Sequence, residues 1–230
     1  MPAALVTELR RLSRAYSDWL LTLQTALVLL MLFVLVPLQA MGIFAFQAFA
    51  IAGLLAMIGG MLIISVNPVA LTLMSIAFAA NATVFLLRLF YPWPYNLHIL
   101  AVAWLVIAVT LGTVVAQAVF ARGRITYHRI MGAVLLYLLI GVAFATLFAL
   151  VGLAFPDAFK GVALKDDAAL ANEIFYLSFV TLTSTGYGDI VPVHPLARSL
   201  CNIEGIIGQL YPATLLARLV TLELRGTIKR

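Results

Sequence analysis

Residues 171–182 read Ala171-Asn172-Glu173-Ile174-Phe175-Tyr176-Leu177-Ser178-Phe179-Val180-Thr181-Leu182, and the chain continues as Thr183-Ser184-Thr185-Gly186-Tyr187-Gly188-Asp189. The first part is an apolar segment of helical length, too short to cross a hydrocarbon core of about 30 Å, which takes roughly 20 helical residues. The second part carries two glycines at alternate positions, and Pro192 and Pro195 mark a return. The stretch 156–170 ahead of it is polar and mixed in charge. This pattern predicts a re-entrant loop. Non-helical backbone at membrane depth is tolerated only where it is buried in protein or lines a water-filled path, so the loop implies a pore.

The rest of the chain supplies the membrane setting. Of 230 residues, 64% are hydrophobic and only 10% charged, whereas soluble domains hold about a quarter charged residues. Apolar runs bounded by breakers predict spans at 19–38, 41–66, 69–89, 97–120, 130–155 and 196–222. The second ends at Asn67-Pro68, where proline opens the next helix, and Tyr91-Pro92-Trp93-Pro94-Tyr95 reads as a loop at a membrane surface. The run at 19–38 follows Arg10, Arg11 and Arg14, as a signal peptide does. It is longer than a usual signal core and lacks a small residue three positions before a cut, so it is expected to be a retained helix. The expected organisation is a cytoplasmic segment 1–18, a four-helix domain 19–120, a cytoplasmic linker 121–129, a pore domain 130–222 and a cytoplasmic tail 223–230.

Charge sets the expected orientation. Arg10, Arg11, Arg14, Arg122, Arg124, Arg129, Arg225, Lys229 and Arg230 fall on one face, against Arg88, Lys160, Lys165 and Arg198 on the other, so both termini are expected in the cytoplasm. The net charge of +5 is thereby a topology signal, and no nucleic-acid partner is expected. The single cysteine, Cys201, closes no disulfide within the chain, and His98, His128 and His194 are too dispersed for a zinc site.

Residues 183–189 resemble the signature of the potassium channel superfamily, Thr-Val-Gly-Tyr-Gly-Asp preceded by another hydroxyl residue. A potassium ion sheds its water only where oxygens replace it, and rings of backbone carbonyls from four chains supply them. Pointing successive carbonyls one way makes the backbone alternate hand, which glycine tolerates at positive φ. The resemblance implies K⁺ coordination by the carbonyls of Ser184, Thr185, Gly186 and Tyr187, with Gly188 completing the filter and the Ser184 hydroxyl closing the innermost site. It also implies support from Thr183, from Tyr187 bracing the short helix, and from Tyr176 hydrogen-bonded to Asp189. The negative end of the short helix, near Leu182, would face the ion path. Two departures stand out: Ser184 replaces the usual threonine, and Thr185 the usual valine or isoleucine. Serine lacks the methyl that fixes the rotamer, so a looser innermost site is expected.

The resemblance extends through the last span. Gly208 lies 22 residues after Gly186, where the family carries its inner-helix hinge; a small residue for close helix packing is the other reading. Pro212 then predicts a kink, and Gln209 is expected to face the cavity below the filter. Glu204, an acid within a span, is read as a protonated or hydrogen-bonded buttress for the neighbouring subunit's pore helix.

Six spans with the pore last is the layout of voltage-gated channels. The predicted fourth span has no arginine or lysine, and a helix without charges extracts nothing from a field worth about 2.3 kcal/mol per charge per 100 mV. The linker, about 12 Å as helix, is short for carrying the bundle over a neighbouring subunit, so each bundle is expected beside its own pore. The expectation is an all-α membrane protein. Six transmembrane helices, with a re-entrant pore helix and selectivity filter between helices five and six, assemble with three identical subunits as a homotetramer. It would conduct K⁺ passively through the cell (inner) membrane without strong voltage dependence, in contact with membrane lipid and with no organic cofactor. The alanine and leucine content suggests a bacterial source. The alternatives are a potassium uptake transporter subunit, which usually carries several degraded filter-like loops, and a non-conducting regulatory subunit.

Overall fold

The computed structural model describes residues 19–43, 53, 68–90, 95–120, 127–165 and 167–227. Most of the predicted second span 41–66, the surface stretch 91–94, the N-terminal arginines, linker residues 121–126 and the last three residues lie outside the described set. Six helices are described. They are α1 Trp19–Ala40, α2 Pro68–Phe90, α3 Asn96–Phe120, α4 Tyr127–Ala154, the short α5 Ala168–Leu182 and α6 Pro195–Thr227. Between them Phe159–Lys160 (β1) and Val191–Pro192 (β2) form a small antiparallel clasp. Among the described residues, α1, α3 and α4 are long and apolar enough to cross a membrane.

Local sequence explains several boundaries. α2 opens on Pro68, whose missing N–H costs nothing in a first turn. In α1, Pro37 cannot donate to the preceding turn, and residues Met31–Leu35 open into a π-helical turn in which Val36 N donates to Met31 O. α5 starts three residues earlier than predicted because Asp167 caps it, its Oδ1 accepting from Ala169 N and Leu170 N at 3.0 Å each. α4 begins at Tyr127 and α6 runs to Thr227, so residues assigned to the linker and the tail are helical. α6 passes through Pro212 without a break.

α3 packs on both α2 and α4 through Ala101, Ala108, Leu111, Val115 and Val119, spaced by three, four or seven positions as one helical face requires. Lipid is as apolar as these side chains, so close approach rather than the hydrophobic effect holds such helices together. Gly132 allows it, since a Cβ there would meet Val119 at 3.1 Å. α1 meets α4 at Thr25 Oγ1, which lies 2.7 Å from Leu21 O of its own helix and 3.1 Å from Met131 O, and at Thr22 Oγ1 against His128 Nδ1 at 2.9 Å. The end of α1 reaches α5, with Phe33 and Phe179 rings 5.2 Å apart. The far end of α3 reaches α6: Arg218 donates to the carbonyls of Val119 and Phe120 at 3.2 and 2.8 Å and lies over the Phe120 ring. This cation satisfies last-turn carbonyls where the helix dipole favours positive charge.

Candidate functional site

α5 ends in a closed cap that is also the start of the 183–189 segment. Ser184 N donates to Thr181 O at 3.0 Å, and Thr185 N to Val180 O at 2.9 Å. This is the Schellman pair of bonds, which needs a residue in the left-handed conformation just past the helix. Ser184 fills that place at φ 57°. Gly186 and Gly188 follow at φ 57° and 83°, so the hand of the backbone alternates at 184, 186 and 188. The sequence reading placed the alternation at the two glycines alone. The third position was hidden because serine does not signal positive φ; the signal available was the helix end, which asks for a left-handed residue at that spot.

Side chains fix this segment from behind. Thr183 Oγ1 donates to Phe179 O at 2.7 Å and lies 2.8 Å from Thr185 Oγ1. The Tyr187 ring stacks on Tyr176 with centroids 6.3 Å apart and planes 4° from parallel. The Tyr176 hydroxyl lies 2.9 and 2.8 Å from the two Asp189 carboxylate oxygens. That bond holds the Asp189 carboxyl below the usual carboxylate range. Beyond Asp189, the clasp pairs Phe159 with Pro192 and Lys160 with Val191, and Val193 N donates to Ala158 O at 2.8 Å. Gly161, at φ 93°, sits against the Asp189 carbonyl where a Cβ would collide. His194 caps α6 by accepting from Leu196 N at 3.2 Å and stacks on Phe155 at 4.2 Å.

Glu204 is fully buried and meets α5 of its own chain, which corrects the expectation that it braces a neighbour's helix. Ser178 Oγ lies 2.7 Å from Gly141 O and 2.5 Å from Glu204 Oε1. One hydroxyl has one hydrogen, so with that hydrogen on Gly141 the carboxyl supplies the other. Helices α4, α5 and α6 are thereby joined at one point. The sequence marked the acid; its partner became visible only when Ser178 was brought opposite.

Gly208 packs against the end of α5: a Cβ there would run into the Leu182 carbonyl. The close approach that the small-residue reading asks for is present here. Gln209, next along, donates from Nε2 to Ser184 Oγ at 2.8 Å. Pro212 is exposed on α6, and Tyr211 beside it donates to Ala133 O on α4 at 2.7 Å and stacks with Tyr137. The structure thus gathers Tyr176, Ser184, Tyr187, Asp189 and Gln209 around one loop, with Glu204 behind it.

A family model described as "Ion channel" matches residues 137–224, from within α4 to near the end of α6. Protein LctB of Bacillus caldotenax is 30% identical over 122 residues, spanning 50% of this chain and 90% of that protein. No solved structure matches. The chain belongs to this ion-channel family, and it is a membrane protein and not an enzyme.

Proposed function

We propose that the chain is one subunit of a homotetrameric, potassium-selective channel with six spans, the pore formed by α4, α5, residues 183–189 and α6. The observation that carries the reading is the alternation of backbone hand at Ser184, Gly186 and Gly188. Such a strand turns successive carbonyls to one side, and four copies then replace the water of a K⁺ ion with the oxygens of Ser184, Thr185, Gly186 and Tyr187. A single copy leaves residues 183–189 exposed, which lipid does not permit for non-helical backbone. Further copies around a water-filled axis satisfy it. The C-terminal end of α5 contributes partial negative charge at the same place.

Conduction is passive and only weakly voltage-dependent, because the described α3 carries no arginine or lysine. The contacts of α1 with α5 and of α3 with Arg218 within one chain favour a bundle lying beside its own pore. In this reading both termini are cytoplasmic, the protein resides in the cell membrane, and its partners are three identical subunits and lipid. The test is flux from liposomes containing the purified chain alone: K⁺ passes and Na⁺ does not. Equal passage of both ions contradicts selectivity, and no flux at all favours a non-conducting subunit.

A further inference from the structure

Ser184 and Gln209 are 25 positions apart and meet because Gly208 lets α6 press onto the Leu182 carbonyl at the end of α5. Ser184 is held at positive φ, a conformation most costly for a β-branched residue. Serine in place of threonine relieves that strain and gives up the methyl that fixes the hydroxyl's direction. The Gln209 amide supplies a direction instead. A hydroxyl oxygen has two lone pairs and one hydrogen. The Nε2–H takes one lone pair at 2.8 Å, which orients Oγ and leaves the other lone pair for a cation.

We propose that Gln209 is a positioning residue for the innermost ion site, doing for Ser184 what a threonine methyl would do, so that residues 184 and 209 act as a pair. The inference rests on the reading of residues 183–189 as a potassium filter. It gives the serine a compensated geometry in place of the looser site expected from its side chain alone. It also ties that site to the position of α6, since Gln209 moves with the helix.

The test uses the full chain in planar bilayers, with K⁺ on one side and Na⁺ on the other, and Ba²⁺, close to K⁺ in radius, applied from the cytoplasmic side. Gln209→Leu is expected to weaken Ba²⁺ block by about fivefold, the size of one lost hydrogen bond, and to lower the K⁺ over Na⁺ permeability ratio. In a Ser184→Thr background the same substitution is expected to change block by less than about twofold, the non-additivity that marks a direct pair. An equal effect in both backgrounds, or none in the serine background, overturns the pairing. Should Gln209→Leu fail to assemble, Gln209→Asn, one methylene shorter, decides by the same comparison. A wild-type channel that passes Na⁺ as readily as K⁺ sinks the filter reading and this inference together, whereas a selective wild type without coupling sinks only the inference.

Discussion

In α2 and α3 the side-chain hydrogen bonds of Thr72, Ser75, Asn81, Thr83 and Thr113 close onto their own helix, whereas from α4 to α6 self-closed Thr146, Thr181 and Thr214 stand beside several side chains that reach across to other elements. Thr72 donates to Pro68 O, Ser75 to Leu71 O, Asn81 to Ala77 O, Thr83 to Ala79 O and Thr113 to Thr110 O, all three or four positions back. From α4 to α6, Ser178 meets Gly141 and Glu204, Tyr176 meets Asp189, Gln209 meets Ser184 and Tyr211 meets Ala133. A self-closed hydroxyl satisfies its hydrogen in lipid without caring which helix lies beside it. A bond between elements fixes their separation and rotation. The α2–α3 contact therefore relies mainly on fit, with directional bonds at the ends of α1 and α3, whereas the bonds among α4, α5 and α6 hold one geometry around residues 183–189.

The comparison is sharpened most strongly at the loop itself. Gly186→Ala puts a side chain at φ 57°, a cost of about 1–2 kcal/mol in each subunit, and K⁺ flux is expected to fall by more than about tenfold in a liposome assay. Read as stability in place of flux, Glu204→Ala leaves Ser178 short of a partner in a buried place and opens a void, at about 3 kcal/mol per chain. Glu204→Gln, which keeps a donor facing Ser178, is expected to retain most of the stability. Thermal unfolding of the detergent-purified protein reads the difference, and equal Tm values for the two variants would break the argument.

A smaller, pH-dependent effect is expected at the outer support. The hydrogen bond from Tyr176 lowers the Asp189 value. A carboxyl lowered on folding stabilises above its unfolded value, and that contribution is lost as pH falls through the folded one. Tyr176→Phe removes the main cause, so acid loss of conductance moves to higher pH. An unchanged acid limb contradicts a role for this bond. The smallest effect belongs to the first half: Thr72→Ala and Thr83→Ala are expected to change stability by less than about 0.5 kcal/mol and flux not at all. A large loss from either would erase the distinction between the two regions.

The loop was legible in the sequence because its glycines, its short apolar helix and the flanking prolines are all local signals. The helix starts at Pro68 and near Leu97 were legible for the same reason. What stayed hidden depends on how a helix closes or on approach between distant segments. Positive φ at Ser184 follows from how α5 ends, and serine carries no mark of it. The clasp of Phe159–Lys160 with Val191–Pro192 is too short for any periodicity. The approach of Gly208 to the Leu182 carbonyl and the capping of α3 by Arg218 join segments far apart in the chain.

The central claim is geometric, and a structure of the purified protein in lipid and K⁺ tests it most directly. Four chains should surround one axis, with ion density in line between the carbonyls of Ser184, Thr185, Gly186 and Tyr187, and that density should change when Na⁺ replaces K⁺. A protein that stays monomeric, or a tetramer whose carbonyls turn away from an empty axis, would contradict it.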